Sequence, residues 1–144
     1  MKKPVFMLSL VLLAALISCQ LPDLTSISWI TVNPQGGAAP AFMNNWANSG
    51  GATQPLAFGK DALGQVHIVG AITNSGPVGS TFLFTLSAGY VPAHDKYLSV
   101  IVSDGVNSGL GELRVYASNG NVQLFTYMGN IQYARFSDVS FTLN

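Results

Sequence analysis

The chain has 144 residues, six lysine or arginine and six aspartate or glutamate side chains, and a formal charge of zero, so it carries no basic stripe for nucleic acid. Charged residues make up only 8%, against about 25% in typical soluble domains. Such a surface is either buried between copies in a homo-oligomer or a neutral exterior of Ser, Asn, Thr and Gly.

In chain order, Met1-Lys2-Lys3 supplies a positive start and Val5 to Ile17 an apolar run broken only by Ser9, the layout of a secretion signal. The run is about 13 residues, whereas a membrane-crossing helix needs about 20. A cleaved peptide, residues 1–18, is therefore expected. Leu16-Ile17-Ser18-Cys19 resembles the lipobox of bacterial lipoproteins, in which a small residue precedes a cysteine that accepts lipid. Cys19 is the sole cysteine, without a disulfide partner. The resemblance implies a lipid attachment at Cys19 and membrane anchoring, firm where two or more acyl chains insert. Gln20 follows in place of the aspartate associated with inner-membrane retention in some bacteria, which favours the outer membrane or cell surface.

After cleavage, four basic residues (Lys60, Lys96, Arg114, Arg135) face six acidic ones (Asp23, Asp61, Asp95, Asp104, Glu112, Asp138). Gln20 to Pro55 is rich in proline and glycine and reads mostly as a tether. The expected division is a linker over 19–41 and a head domain over 42–144. Within this lead-in, Ser26 to Val32 is β-prone and is expected either to pair as a short strand or to meet its copies in a trimer.

From Leu56 onward, short β-rich runs alternate with turn residues about every ten positions, the pattern of an all-β sandwich or barrel. Gln65 to Ile72 puts Val66, Ile68 and Ile72 on one face, and Thr81 to Leu86 does the same with Phe82, Phe84 and Leu86. Tyr97 to Ser103 aligns Leu98, Val100 and Val102, and Asp104-Gly105 turns the chain. Glu112 to Ser118 and Asn121 to Tyr127 flank Asn119-Gly120, a pair suited to a type I′ hairpin. Asp138 to Leu143 ends the set with Val139, Phe141 and Leu143 inward. No useful helix is expected after residue 19. The opposite strand faces, His67, Val69 and Ala71 in one and Gln123, Phe125 and Tyr127 in another, carry few charges. Such faces meet a second sheet, a partner or a ligand.

Several pieces recur in one order: Asn45-Trp46, Phe58-Gly59-Lys60-Asp61, Gly64-Gln65-Val66-His67-Ile68-Val69-Gly70, Phe84-Thr85-Leu86, Gly89-Tyr90-Val91-Pro92, Ser118-Asn119-Gly120-Asn121-Val122 and Phe136 to Phe141. This order, over about 100 residues, is similar to the head domains of phage tail fibres and siphophage receptor-binding proteins. Ser87 and Val91 depart from the proline and arginine usual in that family. The resemblance implies a trimeric, jelly-roll-like antiparallel β-sandwich that recognises cell-surface carbohydrate.

Catalysis is not expected. His67 and His94 are too few, with Cys19 committed, for a zinc site, and no G-x-S-x-G occurs. Gly109-Leu110-Gly111 lacks the third glycine and the helix of a phosphate cradle. Neither cofactor nor metal is expected. The aromatic residues available to a sugar are Trp46, Tyr90, Tyr97, Tyr116, Tyr127 and Tyr133, Tyr90, beside Gly89 and Pro92, being better suited to a structural corner; none is singled out as ligand-binding. The resulting expectation is a lipid-anchored, homotrimeric adhesion or glycan-recognition protein of the bacterial envelope. The alternatives are a structural or assembly protein of the envelope and a prophage-encoded surface lipoprotein.

Overall fold

The computed structural model describes residues 26–144; the expected signal peptide and Cys19 lie outside the described residues. Nine strands follow in chain order: β1 (Ser28–Thr31), β2 (Trp46–Asn48), β3 (Ala57–Lys60), β4 (Gln65–Val78), β5 (Thr81–Thr85), β6 (Lys96–Ser103), β7 (Ser108–Val115), β8 (Asn121–Thr126) and β9 (Ile131–Thr142). They form one sheet in the order β1-β3-β4-β9-β6-β7-β8-β5, with β2 on β4. All named strand pairs are antiparallel, in agreement with the all-β antiparallel class expected.

The sheet curls so that its two ends face each other across the core. Phe58 of β3 stacks on Phe84 of β5 with ring centroids 5.7 Å apart, and Tyr90 meets Phe58 edge-on at 5.0 Å. Around these rings lie Leu56, Ile68, Ile72, Leu83, Leu113 and Leu124, all fully buried. Each such side chain contributes about 1.5–3 kcal/mol by leaving water. The segment before β2 closes the curl. Met43 donates its amide to the Leu83 carbonyl at 2.8 Å, the Asn44 amide group donates to the Phe82 carbonyl, and Asn74 of β4 donates to the Asn44 carbonyl. β5 is thereby tied to β4 through residues 43–46.

The joint between β9 and β6 is short. Only Ile101 with Arg135, Val102 with Ala134 and Ser103 with Tyr133 are in register. Beyond them the two strands diverge, β6 staying with β7 and β9 with β4.

The expected domain boundary at residue 42 moves back. β1 pairs with β3 from Ser28–Lys60 to Thr31–Ala57, Val32 is fully buried and donates its amide to the Leu56 carbonyl, and Asn33 bridges Ala41. Residues 26–41 thus belong to the folded unit, because β3 would otherwise leave an unpaired edge and Val32 an uncovered side chain. Of the β-prone run Ser26 to Val32, Ser28 to Thr31 pairs as a strand in its own chain.

Two local expectations also change. Phe82 points outward at 38% exposure because β5 bulges: Phe82 pairs with Gln123 but Phe84 with Val122, which sends both Leu83 and Phe84 inward. The Asn119-Gly120 turn is not type I′, since Gly120 has φ of 71° but Asn119 is not among the residues of positive φ. Instead Gly120 donates its amide to the Tyr116 carbonyl and Tyr116 to that of Asn121, making a longer loop capped by Asn119, which accepts from the Asn121 amide. The alternations in β4, β6 and the end of β9 hold, with Val66, Ile68, Ile72, Val100, Val102 and Phe141 buried.

Candidate functional site

The most irregular point of the sheet lies on β9. Ile68 pairs with Val139 but Gly70 with Phe136, so Ser137 and Asp138 together face the single residue Val69. Asp138 takes a left-handed conformation, φ 55°, which aspartate tolerates better than most residues. The bulge pushes Ser137 and Asp138 outward, and an open groove of about 560 Å³ runs beside them. Its far wall is the segment Ala52 to Gln54, its floor Gly70 and Ala71, and its near wall Tyr133, Arg135 and Ser137.

Gly70 explains how close those walls come. Its φ is 121°, and a Cβ there would sit 2.5 Å from the Pro55 carbonyl oxygen and 2.7 Å from the backbone of Leu56. Only glycine lets the two backbones meet in this way. A second hollow of about 210 Å³ opens where β6 and β9 diverge, between Ser99, Ile101 and Leu110 on one side and Ser137 and Val139 on the other. Arg135 and Ser137 border both cavities. Arg135 is exposed and has neither ion pair nor side-chain hydrogen bond among the described residues.

Asp138 is anchored by His67 of β4. The Asp138 carboxylate lies 2.9 Å from His67 Nδ1, and Asp61, in the β3–β4 turn, lies 3.2 Å from Nε2. A carboxylate only accepts, so the two hydrogen bonds form together only when the ring is protonated on both nitrogens. Partial burial opposes that charge, but the hydrogen bonds and negative charges of Asp138 and Asp61 outweigh it and raise His67 above its ordinary value. Asp61 is pushed down by the Gln65 amide, against some opposition from burial, with help from His67 and the Leu63 amide. With both nitrogens engaged, His67 has none left to act as a base. It is a clamp between the β3–β4 turn and the β9 bulge.

Beyond Arg135 the outer sheet face is aromatic and apolar. One cross-strand row runs Phe82, Gln123, Arg114, Tyr97 across β5, β8, β7 and β6. The Arg114 guanidinium lies 3.8 Å from the Phe125 ring centroid and 5.8 Å from that of Tyr97, and its Nε donates to Glu112 at 2.6 Å. Tyr97 is 59% and Tyr127 83% exposed, with Tyr127 edge-on to Phe125 at 5.0 Å. Past the Ser99, Glu112 and Phe125 row, the row of Ile101 with Leu110 is apolar and exposed, and Val106 stands out at the β6–β7 turn.

The aromatic residues open to a sugar from sequence therefore divide. Trp46 is buried and drops out. Tyr90 packs on Phe58 with Lys60 5.5 Å from its ring, as a structural corner does. Tyr116 lies near Phe82 and donates its hydroxyl to Gln123 at 2.5 Å. Tyr97 and Tyr127 lie on the outer face and Tyr133 on the groove. His94 is in the exposed loop before β6. Among the described residues no group of three His, Cys, Asp or Glu side chains has the geometry to hold a metal ion, and no helix is long and apolar enough to cross a membrane. The groove itself escaped sequence reasoning, although Gly70 within a strand-like run was a signal of close backbone approach.

These features define a curled antiparallel β-sheet with an aromatic outer face and an adjoining bulge-lined groove. No family model, no curated protein and no solved structure matches the chain.

Proposed function

We propose that this protein is a non-catalytic recognition module of the bacterial cell envelope, held to the membrane by lipid on Cys19, whose β head binds cell-surface glycan. The observation that carries this reading is the outer face of β6 to β8. Tyr97 and Tyr127 offer exposed ring faces, and the Arg114–Glu112 pair beside Phe125 offers fixed hydrogen-bonding groups at the ring edges. A sugar presents apolar C–H faces and a rim of hydroxyls, and a rigid ring flanked by charged hydrogen-bonding groups meets both at little entropic cost.

The apolar row Ile101 and Leu110, with Val106, supports self-association of the head, as a homotrimer in keeping with the receptor-binding heads that the sequence resembles. The same row favours a second reading, in which the head is an assembly protein of the envelope and binds no sugar. A glycan array probed with the full chain in lipid nanodiscs decides between them. Saturable binding that Tyr97→Ala weakens about tenfold, equivalent to about 1.4 kcal/mol, supports recognition. A blank array together with a stable complex of another envelope protein supports assembly.

A further inference from the structure

We infer that the groove beside the β9 bulge is a subsite for a carboxylate-bearing sugar residue, with Arg135 as its charge anchor. This rests on the glycan-recognition reading and specifies the ligand class.

Three observations converge on it. First, the groove has the volume of a ligand site: about 560 Å³, within the roughly 300–1,000 Å³ common to small-molecule sites. Second, Arg135 is the one described arginine with no partner, since Arg114 is committed to Glu112. It stands at the junction of both hollows, so a ligand in either passes its guanidinium. Third, the other polar groups around it suit a sugar: the Thr53 and Ser137 hydroxyls, the Gln54 amide and the Tyr133 ring. The groove also borders Ile101 through the Ile101–Arg135 pair, and Tyr97 lies further along the same strand, so an oligosaccharide can extend from the groove towards the aromatic platform.

Charge decides between a carboxylate and a phosphate. Asp138 also lines the groove, and its carboxylate shares the one His67 ring with Asp61, so that a net negative charge stays at that end and Arg135 is the only positive side chain on the lining. One guanidinium matches one planar monoanion, which it holds with two parallel hydrogen bonds. A phosphate monoester, carrying close to two negative charges, would leave one facing Asp138. The bulge serves the same end: it leaves Ser137 and Asp138 exposed on the groove wall just beyond Arg135.

The test is calorimetric titration of the full chain in nanodiscs with three matched tetrasaccharides, one uronic, one neutral and one phosphorylated. Wild type and Arg135→Gln are compared, with melting curves to verify that the exposed substitution leaves the fold intact. The expected result is tightest binding of the uronic ligand, loss of about tenfold in affinity for it in Arg135→Gln, and no change for the neutral one. Equal affinity for uronic and neutral ligands, tighter binding of the phosphorylated one, or a preference that survives in Arg135→Gln overturns the subsite while glycan recognition stands. Binding of none of the three overturns both.

Discussion

Adding a single methyl group at Gly70 should damage this fold as much as truncating a large core side chain. In Gly70→Ala the new Cβ falls 2.5 Å from the Pro55 carbonyl oxygen and 2.7 Å from Leu56 N and Cα, roughly 1 Å inside ordinary contact. The neighbour is backbone and cannot swing aside: Leu56 is fully buried, and its amide donates to the Asn48 side chain at 2.7 Å. Overpacking of this kind costs about 1–3 kcal/mol. Alanine at φ of 121° adds backbone strain of about 1–3 kcal/mol. The total is about 4 kcal/mol, which for a domain of this size lowers Tm by about 15 °C. Thermal unfolding followed by circular dichroism reads the shift. Gly76→Ala is the control on the same strand, since a Cβ there meets nothing within 4 Å, and it should move Tm by less than about 2 °C. Equal shifts in the two variants would refute the argument that Gly70 is required by the approach of residues 55–56.

Truncating Val32 to alanine should cost about 2 kcal/mol, measurable by urea unfolding, because that side chain is fully buried; no loss would return residues 26–41 to a tether. The His67 clamp makes stability depend on pH. His67 is raised in the fold, so its contribution is complete below about pH 6.5 and is lost as pH rises through the raised value. The Tm difference between wild type and His67→Gln should therefore shrink on going from pH 6 to alkaline pH, and a constant difference contradicts the clamp. Asp61 is lowered, so its contribution is present above about pH 4 and fades on further acidification; Asp61→Asn should flatten the acid limb of the same Tm profile. Detergent partitioning tests the proposed anchor: Cys19→Ser should move the protein from the detergent to the aqueous phase.

What could be read from the sequence was what depends on neighbours in the chain. The alternation Val66, Ile68, Ile72 and that of Val100, Val102 named buried faces correctly because a strand's period holds wherever its backbone stays regular. Phe82 was misplaced because one extra residue in β5 inverts the alternation, and a bulge leaves no mark in Thr81-Phe82-Leu83-Phe84. β1, β2 and β3 are three or four residues long, too short to show a period, and owe their pairing to distant partners. The site depends on such distances throughout. His67 meets Asp138 from far along the chain, and Gln54 comes to lie across from Arg135 only because Gly70 lets the backbones touch. The Tyr97, Arg114 and Phe125 platform was only partly legible: Phe125 stood on the second face of its strand and Tyr97 among the available aromatics, but the cross-strand register that aligns them with Arg114 was not.

The central position of β9 has a consequence for biogenesis. Gln65 pairs with Thr142, and Ile101 with Arg135, so the last described strand is the one that joins the β1-β3-β4 half of the sheet to the β6-β7-β8-β5 half. Until it is in place, each half exposes an open strand edge and one side of the common core. Closing a sheet through partners so far apart is slow, and a growing chain cannot do it early. For a polypeptide carried across a membrane behind an N-terminal signal, as proposed here, that ordering is useful: the two halves of the sheet stay unjoined until β9 has crossed, and its arrival completes this fold on the far side.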